Sequence, residues 1–479
     1  MSDSIIINDR GNFKGGYFVL NQKRNEDTWL GKEDFFVTLP YEYSIKKKLI
    51  DLIRESKLNI KICSFILTDQ DIYEEIENVL KNKNVAVFIL SQLDSSKFST
   101  SLQADEEVFE NHWQEHLDTI KKLYSHGAHV RATGSAHAKF LISDREKGIL
   151  TSANIKKESL INNPETGIFI NDTRALNHLD RLFDEIFQNG TEYTRFITAS
   201  SNKQFIVSRK KNISKNSKVL EIKTKLKFTL ENYNQSLYHE LIKIIENTSG
   251  DVFLSTYCIV GLNALPEFIS AIKLVIKKGY TVYIFSRGMN YRSDHLESCT
   301  QLAKLGCKIY GDVYNHSKGV ITPESSMIFT ANIDGNHGLK NGFEVGVVLE
   351  NNQKVNMESF IKWQIKTAPY VFTLSPQKSS YFSYYIYHCK VKEISPKQLP
   401  DDLIIKLSKS ASNLANLIDD TPCYFKIKNN NIYQLQIGKY SYQATLENNI
   451  LNIGNKINTR EYNLESYLLQ YRNAKIIFE

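Results

Sequence analysis

Two widely separated stretches of this chain carry the same residues in the same order, and any fold must account for both. The first reads His137-Ala138-Lys139, then Asp144, then Ser152-Ala153-Asn154, then Asn163-Pro164-Glu165. The second reads His316-Ser317-Lys318, then Thr330-Ala331-Asn332, then Asn341-Gly342-Phe343-Glu344. Each holds a histidine, a lysine two residues later, a small hydroxyl residue, an asparagine and a glutamate.

The pattern around the two stretches repeats as well. Before the first, helical periodicity over Tyr43–Ser56, with Leu49, Leu52 and Ile53 on one face, leads into an apolar run at Asn59–Leu67. A helix over Asp69–Lys83, a nearly continuous apolar strand at Val85–Leu90, a helix over Asp105–Ser125 and a strand at Ala128–Ala132 follow. Strands are expected at His137–Ile142, Gly148–Ser152 and Gly167–Ile170, and a closing helix at Arg174–Gln188. The order then restarts with a helix at Leu237–Glu246 and runs again to a closing helix at Val355–Lys366. Strand and helix alternating twice, each time ending in the same motif, predict an α/β fold made by internal duplication.

The 479 residues divide on this reading into a first half at 1–202, a basic connector at 203–227, a second half at 228–372 and a β-rich accessory domain at 373–479. The connector holds Lys203, Arg209, Lys210, Lys211, Lys215, Lys218, Lys223, Lys225 and Lys227 against few acids. Past Pro369, alternating runs such as Ile432–Ile437 are separated by asparagine-rich turns like Asn429-Asn430-Asn431. No run approaches the roughly 20 apolar residues of a membrane span, and Met1-Ser2-Asp3-Ser4 lacks a secretory pattern, so a cytoplasmic location is expected. Six scattered cysteines without a Cys-x-x-Cys pair read as reduced thiols. A net charge of +7 tolerates a polyanionic partner without demanding one.

The repeated residues suit one kind of chemistry. A phosphodiester is shielded by its own charge; breaking it takes an uncharged nucleophile, cations on the non-bridging oxygens and an acid for the leaving oxygen. A neutral imidazole can attack phosphorus while a second, protonated imidazole serves the leaving group. Lysines and asparagines would hold the phosphoryl oxygens, and a carboxylate behind each imidazole would fix its tautomer. Spacing of two on a strand would put His137 with Lys139, Ser152 with Asn154, and their second-half counterparts, on one surface. No metal or cofactor is called for.

His137-x-Lys139-x(4)-Asp144 with Asn154, and His316-x-Lys318 with Asn332, resemble the paired HKD motifs of the phospholipase D superfamily over roughly residues 45–370. The resemblance implies two α/β sandwich halves related by a pseudo-twofold axis, with the β-rich C-terminal domain outside the likeness. It implies His137 as nucleophile and His316 as general acid, Lys139, Lys318, Asn154 and Asn332 on phosphate, Glu165 and Glu344 orienting the histidines, and Asp144 in a structural role. Ser152, Thr330, Lys210 and Lys211 are further candidates for substrate binding. The second copy departs from the pattern with Pro323-Glu324 where the aspartate should fall.

A DNA nuclease is the favoured expectation, with a setting in antiphage defence and a homo-oligomer or a separate DNA-translocating ATPase as partner. A phospholipase or phosphatidyl transferase, and a non-catalytic nucleic-acid-binding subunit, are the alternatives. His112-Trp113-Gln114-Glu115-His116 fits a zinc-binding pattern on a helix, but no convincing third ligand is evident and an amphipathic helix accounts for the residues. The aromatics of Tyr381–Cys389 are expected in the core of the last domain.

Overall fold

Runs of β-branched residues alternating with amphipathic helices fold, in the computed structural model, into two sheets of ten strands, one of six and a two-stranded pair, Ile259–Val260 with Ile333–Asp334. The structure describes residues 15–21, 23–93, 112–191, 193–198, 204–208, 213–214, 217–289, 293–312 and 314–374, and the six strands of the third sheet.

In chain order come β1 (Gly16–Leu20), β2 (Phe35–Leu39), β3 (Glu42–Tyr43), α1 (Ser44–Glu55), β4 (Asn59–Cys63), α2 (Gln70–Asn82) and β5 (Ala86–Ser91). Then follow α3 (His112–Ser125), β6 (His129–Ala132), β7 (Phe140–Ser143), β8 (Lys147–Thr151), α4 (Lys157–Ile161), β9 (Glu165–Phe169), α5 (Thr173–Asn189), β10 (Tyr193–Thr198) and β11 (Gln204–Ser208). The second pass opens with β12 (Leu226–Leu230), β13 (Asn234–Gln235), α6 (Ser236–Glu246), β14 (Val252–Ser255), β15 (Ile259–Val260), α7 (Pro266–Lys277) and β16 (Val282–Ser286). It ends with α8 (Ser293–Leu305), β17 (Lys308–Gly311), β18 (Gly319–Ile321), β19 (Ser326–Phe329), β20 (Ile333–Asp334), β21 (Phe343–Val348), α9 (Asn351–Thr367) and β22 (Tyr370–Leu374).

The first sheet is ordered β11-β10-β6-β5-β4-β7-β8-β9-β2-β3, and the second β1-β22-β17-β16-β14-β18-β19-β21-β12-β13. Position for position the two are alike: a parallel trio, β4-β5-β6 or β14-β16-β17, continues into an antiparallel run through β7-β8-β9 or β18-β19-β21. The edges differ. Gly16–Leu20, grouped with the first half on sequence, pairs antiparallel with Tyr370–Leu374 and covers the margin of the second sheet, where β11 covers the first. An apolar strand such as β22 needs that cover, because its free edge would otherwise invite pairing with another chain.

Helices form where the periodicity places them. On α1 the buried residues are Ile45, Leu49, Leu52 and Ile53, and Asp69 caps α2 by accepting the Ile72 N–H at 3.1 Å. Helix α3 begins its described course at His112; residues 105–111 lie outside it. One hydrophobic cluster crosses between the halves, joining Phe140, Leu150, Ile168 and Phe183 of the first to Phe228, Val345, Val347 and Phe360 of the second. That shared core holds the two sheets in one relation and so fixes what they present at their junction.

The third sheet, β24-β25-β26-β27-β23-β28, combines β23 (Ile404–Leu407), β24 (Cys423–Asn429), β25 (Ile432–Ile437), β26 (Tyr440–Glu447), β27 (Ile450–Ile457) and β28 (Lys475–Phe478). Four of them form an antiparallel meander. Tyr381–Cys389 lie outside the described residues.

Candidate active site

The motif histidines do not sit on strands, as the period-two reading expects. Strand β7 begins at Phe140 and β18 at Gly319, so His137–Lys139 and His316–Lys318 are irregular backbone just ahead of them. The backbone at the head of each stretch pairs with the other half, while the Lys139 carbonyl still accepts the Thr151 N–H of its own sheet. The His137 N–H donates to the Phe343 carbonyl (3.2 Å), the Phe343 N–H to the Ser135 carbonyl (2.7 Å), and the His316 N–H to the Pro164 carbonyl (2.9 Å). Phe343 and Pro164 immediately precede the two glutamates, so the backbone brings each histidine to the other half's carboxylate.

The side chains complete the exchange. Nδ1 of His137 stands 2.6 Å from Oε1 of Glu344 in a hydrogen bond. Nδ1 of His316 lies 2.8 Å from Oε1 of Glu165, a close pair whose angle falls short of a hydrogen bond. Both Nε2 atoms are thereby left to face whatever enters. The lysines curl back, Lys139 Nζ donating to the His137 carbonyl (2.5 Å) and Lys318 Nζ to that of His316 (2.8 Å), and both are buried. Asn154 is buried in the bend after β8, and Asn332 is half-buried in the matching bend after β19.

Ser152 and Thr330, expected to bind substrate, are completely buried and donate to Glu165 Oε2 and Glu344 Oε2, each at 2.5 Å. They hold the carboxylates in place rather than meet a ligand. Strands β8 and β19 end one residue before them, which is why alternation along a strand misassigns their direction. Lys210 and Lys211 lie outside the described residues. Of the remaining connector lysines, Lys225 pairs with Glu350 (3.1 Å) and Lys227 with Glu240 (3.3 Å), so part of that basic charge is spent within the fold.

The two histidine–glutamate pairs are alike in arrangement but differ in hydrogen bonding and in charge. Burial pushes the Glu165 carboxyl up to about 8, against the pull of Lys318, Ser152, Ser159 and Lys139. Burial, reinforced by Lys318, Lys139, Arg287 and Lys156, holds His316 well below the usual imidazole range. This pair is therefore neutral near pH 7. Glu344 is also buried, but the His137 ring beside it, Lys139 and Thr330 keep it below the usual carboxylate range, and thus ionised. Exposure follows the same split: the side chain of His137 is 25% accessible and that of His316 7%.

A family profile described as "Cardiolipin synthase, PLD-like domain" matches residues 49–187. Residues 49–187 therefore carry a domain similar to those of the phospholipase D superfamily. Members of this superfamily act on phosphodiesters. No curated protein matches the chain. Among solved structures it is similar to polyphosphate kinase from Porphyromonas gingivalis (13% identity, TM-score 0.46, 68% of this chain and 49% of the other). It spans about half the length of that protein. It is also similar to phosphatidylserine synthase from Haemophilus influenzae Rd KW20 (12% identity, TM-score 0.46, covering 75% and 89%). A third likeness is to the phospholipase D family member Nuc from Salmonella typhimurium (16% identity, TM-score 0.27, covering 32% and 93%).

Against the phospholipase D pattern, the missing second aspartate has a stand-in. Asp144, at φ +54, accepts the N–H groups of Lys57, Leu58 and Asn59 at 2.8–2.9 Å, tying the β7–β8 turn to the loop before β4. Although burial opposes it, those three donors hold its carboxyl below the usual range. In the second half Glu324 reaches the equivalent loop before β14 and accepts from the Ser249 N–H and hydroxyl. A longer acid one turn position over performs the same tie.

Four residues around the histidines escape the motif. Phe65 meets the His137 ring edge-on (centroids 5.7 Å apart), and Tyr257 meets His316 the same way (5.4 Å). They follow β4 and β14, and only superposing the halves would single them out. Arg287, stacked on Tyr257 at 4.6 Å, and Lys156 are the others. The zinc reading gives way to a packing role for His116. His116 is buried, accepts the Leu67 N–H on Nδ1 (3.0 Å) and donates from Nε2 to the Gln92 carbonyl (2.9 Å). Desolvation lowers it to about 4. His295 repeats both bonds with Ile259 and Arg287. Among the described residues no group of three His, Cys, Asp or Glu is placed to hold a metal ion, and no helix is long and apolar enough to cross a membrane.

Proposed function

We propose that the chain is a metal-independent phosphodiesterase acting through a phosphohistidine, with DNA as its substrate. The observation that carries this reading is the exchange of glutamates, which ties His137 and His316, with Lys139 and Lys318 beneath them, into one composite site. A catalyst of this kind needs one imidazole without charge and one that carries a proton. The charge pattern favours His316 for the first task, reversing the order that the family resemblance implies. It favours His137, on an ionised carboxylate and more open to water, for the second.

In that sequence His316 Nε2 attacks phosphorus, the bond from phosphorus to the leaving oxygen breaks, and His137 gives that oxygen its proton. His137, now neutral, takes a proton from water; the water oxygen attacks phosphorus, and the bond to His316 breaks. The lysines and asparagines neutralise the phosphoryl oxygens throughout. The net charge of +7 and the basic connector support a nucleic-acid substrate, and a cytoplasmic role in antiphage defence, alone, as an oligomer or beside a translocating ATPase, is proposed on the family resemblance. The description of the matching profile favours phosphatidyl transfer as a second reading.

The test incubates EDTA-treated protein with supercoiled plasmid and with phosphatidylcholine–phosphatidylglycerol liposomes. Plasmid cleavage that survives chelation and vanishes in His316→Ala supports the nuclease. Headgroup release with intact plasmid transfers the reading to lipids. In His137→Ala, acid-labile phosphate should accumulate on His316; label on His137 in His316→Ala would restore the opposite assignment.

A further inference from the structure

The main chain of His316 and Ser317 is tied at every polar group. The His316 N–H reaches the Pro164 carbonyl, and the His316 carbonyl takes the Lys318 ammonium at 2.8 Å. The Ser317 N–H donates to Asn315 Oδ1 (3.2 Å), and the Ser317 carbonyl accepts from Ser255 Oγ (3.1 Å). The side chains close the set. The Ser317 hydroxyl donates to Asn315 Oδ1 (2.7 Å) and lies 2.7 Å from that of Ser255. Asn315 Nδ2 donates to the Thr256 carbonyl (2.9 Å), and Gln364 on α9 brings its amide to Ser317 Oγ (3.2 Å) and Asn315 Oδ1 (3.3 Å). All four side chains are buried.

The first half has other residues at these four positions. With the halves laid over each other through the motif, Ser255 falls on Cys63, Asn315 on Ala136 and Ser317 on Ala138. Counted from the caps of α5 and α9, Gln364 falls on Ile186. Those four are buried as well, and three of them have no polar side-chain atom. A buried polar cluster adds little stability that an apolar one of the same shape would not. It does confine the atoms it joins to one arrangement, because a hydrogen bond broken there is not replaced by water. The atoms confined here are the peptide groups on either side of His316.

We propose that Ser255, Asn315, Ser317 and Gln364 are positioning residues, which hold the His316 imidazole in line with phosphorus. Enclosed as they are, they offer no surface to a substrate and act through the main chain that carries the ring. The attacking nitrogen must approach opposite the leaving oxygen, and a displacement of about 1 Å can cost about 100-fold in rate. A loop with only apolar contacts beneath it would let the ring wander by such amounts; four cross-linked polar side chains prevent it. The inference rests on the reading of His316 as nucleophile and adds what keeps that nucleophile in place.

The experiment follows single turnovers, with enzyme in excess, of wild type, Ser317→Ala (the residue type of the first half) and Gln364→Met, which keeps the shape and removes the amide. Each is checked by thermal melting. Two substrates carry the same thymidine phosphate: a p-nitrophenyl ester, whose leaving group departs without a proton, and the dinucleotide thymidylyl-thymidine, whose alkoxide needs one. Nucleotide bound to His316 is trapped in alkali and located by mass spectrometry. Either variant should form it about tenfold or more slowly, by the same factor on both substrates and with the amplitude of wild type. The control His137→Ala should slow the dinucleotide alone. A loss confined to the dinucleotide assigns the cluster to the acid and overturns the inference. So does a lower amplitude at unchanged rate, which a merely less folded protein gives, and so does no change at all. Wild-type label on His137 overturns the role assignment beneath it, and a wild type that leaves both diesters intact overturns the nuclease reading as well.

Discussion

Glutamine in place of either glutamate changes a carboxyl for an amide of the same shape, yet the two substitutions should differ sharply. Near pH 7 Glu344 is ionised and accepts the His137 Nδ1–H at 2.6 Å, a charge-assisted hydrogen bond worth about 1.5–3 kcal/mol. Losing it from the transition state costs about 10- to 150-fold in rate. Glu165 is already protonated for most of its time at pH 7, since burial pushes it up to about 8. Glu165→Gln then removes a charge that burial already disfavours, and its amide oxygen can still accept from Ser152. Expected kcat/KM on bis(p-nitrophenyl) phosphate at pH 7 is within about threefold of wild type for Glu165→Gln and down by about 10- to 150-fold for Glu344→Gln. Profiles from pH 6 to 9 should show wild type and Glu165→Gln diverging only as pH passes about 8. Equal damage from both substitutions at pH 7, or a Glu344→Gln variant within threefold of wild type, would refute the claim that one pair is neutral and the other charged.

Two further outcomes concern stability. A carboxyl raised above its unfolded value favours the folded state fully below that unfolded value, and the advantage fades as pH rises through the folded one. The melting temperature of Glu165→Gln relative to wild type should therefore increase between about pH 4.5 and pH 8, read by circular dichroism; a constant difference would contradict the buried neutral acid. Asp144→Ala strands the N–H groups of Lys57, Leu58 and Asn59, and should lower the urea-unfolding free energy by about 1–3 kcal/mol. In that variant the ratio of oligonucleotide to small-diester activity should not move.

Much of this was written in the spacing of residues. The apolar periods of Ser44–Glu55 and Ala86–Ser91, and the order of elements in both halves, follow from local pattern, because each element buries a face that its own sequence defines. The motif residues, too, were recognisable by type and order. What local pattern could not supply was partnership. Nothing near Glu165 says that its carboxylate serves His316, since that follows from how two sheets meet across a shared core. Nor does periodicity place Ser152 and Thr330 under the carboxylates, because the strands stop just before them. Gly16–Leu20 failed for the same reason: an edge strand's neighbour is decided by which margin lies open, which its own five residues do not encode. Arg287 and Lys156 were invisible until the halves could be laid over each other.

Because Glu165 and Glu344 each serve the opposite histidine, the duplication gives the protein no spare copy. Damage to one half withdraws a carboxylate from the other, so neither can decay while its twin keeps working. Two sequences free to drift apart over most of their length are bound to a common fate at these four side chains.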